Sequence, residues 1–240
     1  MSWNRLGLVM IALSVLCACK ETTSSGNIRT AGIAMTVEVR AQTASASVVT
    51  ATLQVGGNES NTYVVLDQGD GLFAKADGKR KEMQSIDDGV YEAKFSIADE
   101  DTLFAVMLER DQDEDASDNS GRLPAPFEIT SSFSDPLSRA DDPIKVTWEP
   151  SGKDGDMALD IEDEAGGCIA FDEHQNIGGD PGSYTVPKGT LESQDEEKPE
   201  TCDATLTLER ARDGKTDSAF DSESSFVLKQ IRSDTFASAP

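Results

Sequence analysis

Ile33-Ala34-Met35-Thr36-Val37-Glu38-Val39 decides the fold class. Large aliphatic side chains fall at 33, 35, 37 and 39, with smaller or polar residues between them. Successive side chains of a strand point to opposite faces, so a period of two marks a strand with one face in a core and one in water. The same rhythm recurs outward along the chain. It appears at Val49, Ala51, Leu53 and Val55, at Tyr91, Ala93, Phe95 and Ile97, and at Ile144, Val146 and Trp148. It returns at Met157, Leu159 and Ile161 and at Ala204, Leu206 and Leu208. Gly, Asp and Asn clusters such as Gly56-Gly57-Asn58 and Asp87-Asp88-Gly89 punctuate the runs, as turns require. No long stretch has a helical period; Ser134 to Ala140 is the one span expected to make a helical turn.

The two halves echo each other in order. Gly89-Val90-Tyr91 matches Gly182-Ser183-Tyr184, and Leu108-Glu109-Arg110 matches Leu208-Glu209-Arg210. The expected fold is therefore all-β, with two tandem antiparallel β-sandwich domains over 33–131 and 132–240. Units of about 100 residues and about seven strands have the size of an Ig-like sandwich. The immunoglobulin signature itself is missing, because Trp148 precedes both cysteines of this region, Cys168 and Cys202. Glu109, Arg110, Glu209 and Arg210 are expected to end strands in surface ion pairs worth under about 1 kcal/mol.

Leu16-Cys17-Ala18-Cys19 closes an apolar run, Leu6 to Leu16, that follows the single charge of the first nineteen residues, Arg5. The run is too short for a spanning helix, which needs about 20 apolar residues, and has the length of a secretory signal core. The tetrapeptide resembles the lipobox of bacterial lipoproteins. That resemblance covers the first twenty residues only. It implies a signal peptide over 1–18 and acyl chains on Cys19, with the membrane as a partner through those chains. Lys20, in place of an aspartate after the lipidated cysteine, implies the outer membrane of the bacterial cell envelope rather than the inner. Residues 19–32, rich in Ser, Thr, Gly and Asn, are expected to form a lipidated flexible tether.

Cys168 and Cys202 are the pair left outside the signal, and in an exported chain they are expected to form a disulfide. The chain-entropy model assigns closure of a loop of this length roughly 3–4 kcal/mol. A formal net charge of −24 repels phosphate backbones, so a nucleic-acid partner is excluded. It also repels anionic lipid, so the acyl anchor must hold the chain at the bilayer.

Asp111, Asp113, Asp115 and Asp118 form the one candidate metal site, an oxygen-rich loop that could take Ca²⁺ weakly. Ala116 and Arg122 stand where an EF-hand loop needs Gly and Glu, so the match to that motif fails. The lone histidine, His174, follows Asp172 and Glu173 and reads as an exposed loop residue. No hydrolase or phosphate-loop motif occurs. The expected function is a non-enzymatic, membrane-anchored envelope lipoprotein with binding or structural modules for a protein or glycan ligand. The alternatives are a calcium-dependent adhesive module and a carbohydrate-active hydrolase.

Overall fold

The computed structural model describes residues 20–240 except 68, 134–135 and 164–166. The first part of the chain supplies β1 (Glu21–Ser24), β2 (Ile33–Thr43), β3 (Ala46–Val55), β4 (Thr62–Val65) and β5 (Gly71–Ala76). It continues with β6 (Lys79–Glu82), β7 (Gln84–Asp87), β8 (Val90–Phe95), β9 (Leu103–Glu109) and β10 (Ala116–Arg122). The second part supplies β11 (Glu128–Ile129), β12 (Leu137–Ser138), β13 (Ile144–Glu149) and β14 (Asp156–Asp163). β15 (Glu173–Asn176), β16 (Ser183–Val186), β17 (Cys202–Asp213) and β18 (Ser225–Ala239) complete it. Two single 3-10 turns, Ser25–Asn27 and Thr30–Gly32, lie between β1 and β2. Leu137–Ser138 is a strand beside the end of β18, and the one helix-type hydrogen bond there among the described residues, from the Asp142 N–H to the Ser138 carbonyl, closes a single turn at the end of the span expected to be helical.

The protein is all-β, with two sandwich cores, as the alternation predicts. In β2, Ile33, Met35, Val37 and Val39 are fully buried, and β13 and β14 likewise bury the alternating residues read from the sequence. The arrangement of the sheets was not legible. One long sheet runs β1-β4-β3-β2-β18-β17-β14-β15 through both halves. A four-stranded sheet, β10-β9-β5-β6, supplies the other wall of the first core, and β11-β13-β16 that of the second.

β18 is the strand that joins them. Its start lies parallel to β2, with Ser225 opposite Thr36 and Gln230 opposite Ala41. Along its length it pairs antiparallel with β17, from Val227 opposite Asp213 to Ser238 opposite Cys202. One face of β18 therefore enters both cores: Phe226 and Leu228 belong to the first, Phe236 to the second. The cores do not divide at 131/132. The chain passes between Leu123, in the first core, and Phe127, in the second, and Phe220 returns to the first near the C-terminus. The physical reason is that sequence spacing carries no sign of a strand that pairs with a partner about 190 residues away.

Candidate functional site

Three places bear on function: the first described residues from Lys20, the acidic loop beside them, and a polar waist between the two cores. Each is built from strand parity and the partners that parity imposes.

The segment expected to be a flexible tether is docked. β1 lies parallel to β4, with Glu21 opposite Thr62 and Ser24 opposite Val65. Lys20 forms an ion pair of 2.7 Å with Asp87 and sits 4.5 Å from the centre of the Tyr63 ring. Ser24 donates its hydroxyl to Asp67 at 2.5 Å, and the Asp67 backbone N–H donates to Ser25 Oγ at 3.1 Å. The Ser24 hydroxyl foremost, then the Gly26 N–H and the Ser25 hydroxyl, donate to the Asp67 carboxyl and hold it below its ordinary value. Polar residues that read as a solvated linker are thus the acceptors and donors of a fixed turn, because their partners lie 40 and more residues away.

Arg110 clamps the same segment from beneath. It shares the parity of Phe104, Val106 and Leu108 along β9, so period two turns it inward. Its Nε donates to Asp70 at 2.7 Å, and the side chains of this pair are 1% and 3% exposed. Nη2 donates to the carbonyls of Ser25 and Ile28, and Nη1 to the Thr30 hydroxyl. The surface ion pair expected of Arg110 is therefore a buried one. Its neighbour Glu109 ends β9 and pairs with Arg80 at the surface, as expected, whereas Glu209 lies within β17 and forms a half-buried pair with Lys229.

The four aspartates read as a calcium loop turn to four different tasks. Asp113 accepts from the backbone N–H of Thr30 at 3.1 Å and of Glu114 at 2.8 Å. Those backbone donors, with Glu114 first, lower its carboxyl from the usual value. Asp115 accepts from the Arg110 N–H at 2.6 Å, which closes the turn after β9. Asp111 donates its N–H to Asp70 and accepts from Gln112, while Asp118 pairs with Lys215. Among the described residues, the one group of three or more His, Cys, Asp or Glu ligand atoms within 4.8 Å of one another is Asp163, Cys168 and Cys202. The four aspartates are not gathered around one point. His174, mostly exposed, meets Asp160 at 2.6 Å.

The waist repeats the Arg110 device. Arg210 shares the parity of Leu206 and Leu208 in β17 and is fully buried. It donates to Asp180 at 2.8 Å, to the Ala125 carbonyl at 2.7 Å and to the Pro150 carbonyl at 2.6 Å. Asp180 also accepts from Trp148 Nε1 at 2.6 Å and from the Lys153 N–H. Burial pushes the Arg210 guanidinium down from its ordinary value, and Asp180 opposes that. Gln230 donates to the carbonyls of Ala98 and Pro124, and Arg232 to that of Ala41. Leu123–Phe127 is buried here, and side chains of β17 and β18 satisfy its carbonyls. Buried carbonyls without partners would be costly, so this connection is built as a joint rather than a linker.

Cys168 and Cys202 form the expected disulfide. It joins the start of β17 to the segment after β14, which is pinned to the 190s by Ala170 N–H donating to Glu192 and Gln194 N–H donating to Cys168. Cys19, the expected lipid acceptor, lies outside the described residues.

No family model matches the chain, and no curated protein matches it. Among solved structures it is similar to fibronectin(III)-like modules of Clostridium thermocellum CbhA, with TM-score 0.25 and 11% identity over 86% of this chain and 93% of that one. It is similar to the Yersinia pseudotuberculosis adhesin InvE, with TM-score 0.24 and 12% identity over 86% of this chain and 58% of that one. A segment of two fibronectin type-III domains from chicken tenascin matches at TM-score 0.24 and 12% identity, covering 81% and 95% of the two chains.

Proposed function

We propose that this chain is a non-enzymatic lipoprotein of the bacterial cell envelope. Acyl chains on Cys19 anchor it, and two β-sandwich cores joined by β18 face a protein or glycan partner. The observation that carries the reading is the lipobox Leu16-Cys17-Ala18-Cys19, which stands in sequence directly before the described strand β1 (Glu21–Ser24). Lys20 is already held by Asp87 and Tyr63, and β1 starts at Glu21. On this reading the lipid is joined to the sandwich without a leash, and the module stands directly on the bilayer. Two or three acyl chains suffice to hold it there, since each buried methylene contributes about 0.8 kcal/mol. The net charge of −24 keeps the rest of the surface off anionic headgroups. Lys20 after the lipidated residue favours the outer membrane.

The calcium-dependent adhesive alternative has less support, because Asp113 and Asp115 are engaged by backbone N–H groups. The test is detergent-phase partitioning of the full chain expressed in a bacterium. The native chain is expected in the detergent phase. Cys19→Ala is expected to release the protein into the aqueous phase or leave the signal uncut. A native chain recovered in the aqueous phase contradicts the proposal.

A further inference from the structure

Arg139 is a buried cation with no ion pair among the described residues, unlike Arg110, Arg210 and Arg232. Its residue is 5% exposed, in the loop after β12. Nη1 donates to Cys168 Sγ at 3.0 Å and to both the carbonyl and the hydroxyl of Ser238 at 3.1 Å. Nε donates to Ser193 Oγ and Nη2 to the Glu200 carbonyl at 2.8 Å. Among the described residues no carboxylate lies within 4.0 Å of its nitrogens, and Asp163 acts on it from further away. The guanidinium is thus fixed by five contacts from three segments, with one sulfur of the disulfide against Nη1.

The other sulfur meets one backbone donor and a carboxylate: the Cys168 N–H donates to Cys202 Sγ at 3.3 Å. Cys202 Sγ lies 3.6 Å from Asp163 Oδ2. Cys202 is half-buried, whereas Cys168 is 5% exposed. A cavity of about 240 Å³, lined by Gly167, Cys168, Gln194, Asp195, Lys198 and Glu200, opens beside Cys168.

We propose that Cys168–Cys202 is a polarised site of thiol–disulfide exchange with an external thiol, in which Cys202 takes the mixed disulfide and Cys168 is the leaving thiolate. The external thiolate attacks Cys202 Sγ. A new S–S bond forms there, the Cys202–Cys168 bond breaks, and its electron pair stays on Cys168 Sγ. Negative charge arising on Cys168 meets the Arg139 guanidinium at hydrogen-bond distance; arising on Cys202 it would meet only the neutral Cys168 N–H, and the Asp163 carboxylate, within 4.8 Å of both sulfurs, lies 3.6 Å from Cys202. Exchange is faster when the leaving thiol has the lower pKa, and a neighbouring guanidinium lowers a thiol pKa while a carboxylate raises it. Electrostatics selects Cys202 as the sulfur attacked, and Cys202 is the less buried residue of the two, while the cavity itself lies against Cys168. A second thiolate that attacks the mixed disulfide completes reduction of the pair and is joined to the first in a disulfide of the reductant.

The experiment exposes the oxidised full chain to a limiting pulse of reduced glutathione, traps freed thiols with iodoacetamide and maps the peptides by mass spectrometry. Glutathione is expected on Cys202 and the carbamidomethyl group on Cys168. Glutathione on Cys168, or shared evenly, overturns the proposal. In the Cys202→Ser chain, thiolate absorbance should show Cys168 titrating below the ordinary thiol value of about 8.5. Adding Arg139→Gln should raise it by at least about one unit and slow exchange in the two-cysteine chain by about threefold or more. Arg139→Lys should recover part of both effects. A Cys168 that titrates at or above the ordinary value also overturns the proposal. If Arg139→Gln does not fold, the adduct map and the Cys202→Ser titration decide the matter unaided.

Discussion

Arg110 and Arg210 are the residues on which the fold turns. Each follows a Leu-Glu pair, and each enters the protein because strand parity leaves it no other face. Each meets an aspartate, Asp70 or Asp180, at 2.7 or 2.8 Å with both side chains almost fully covered. A buried pair adds little over an apolar replacement, but removal of one partner leaves a bare charge and costs about 3–5 kcal/mol. Asp180→Ala is therefore expected to lower the free energy of unfolding in urea by about that much, with the Trp148 and Lys153 N–H groups also left without an acceptor. A loss under about 1 kcal/mol would show that Arg210 is not held as described. The parity of both arginines could be read from the sequence, since Leu108 and Leu208 lie two residues earlier on the same face. The general preference of arginine for the surface outweighed it. Asp70 and Asp180 could not be found in this way, because each lies at least thirty residues from its arginine.

At the scale of elements, the N-terminal segment and β18 were the least legible parts. Strands such as β2, β13 and β14 announce themselves because their burial is local alternation. Residues 21–32 have no such pattern; Asp67, Arg110 and Asp113 order them from afar. That dependence predicts an acid response. Asp67 and Asp113 both titrate below the ordinary aspartate value of 3.8 in the folded chain. A carboxylate with a lowered folded pKa contributes stability that is complete above its unfolded value and fades as pH falls through the folded one. Amide hydrogen exchange over 21–32 should therefore accelerate selectively below about pH 4, ahead of β2 and β3. Asp113→Asn should move this release to higher pH by weakening the hold on Thr30. Equal protection of 21–32 and β2 through the acid range would contradict the docking. The acidic loop makes a related prediction. With Asp113 and Asp115 committed to backbone donors, added Ca²⁺ is expected to bind at millimolar concentrations or more weakly and to leave the melting temperature almost unchanged at lower levels. Micromolar binding by calorimetry would reverse that reading.

For the whole molecule, the consequence of β18 is cooperation between the two cores. Phe226 and Leu228 sit in one and Phe236 in the other, on the same strand face. Between them, Gln230 and Arg232 hold carbonyls of the first half, and Arg210 holds the connection through Ala125. Calorimetry of the full chain should show one cooperative transition, and Cys168→Ala with Cys202→Ala should lower it as a whole by roughly 3–4 kcal/mol. Two transitions, with one unmoved by loss of the disulfide, would mean that the waist does not couple the cores. The same rigidity bears on the anchor. The first described strand starts at Glu21, and only Lys20 separates it in sequence from Cys19. The most direct measurement is mass spectrometry of the N-terminal peptide of the mature protein extracted from bacterial envelope. A chain that begins at Cys19 and carries a diacylglyceryl thioether, with or without a third acyl chain on its amine, is the predicted result. An unmodified N-terminus, at Cys19 or elsewhere, would contradict a lipid-anchored function.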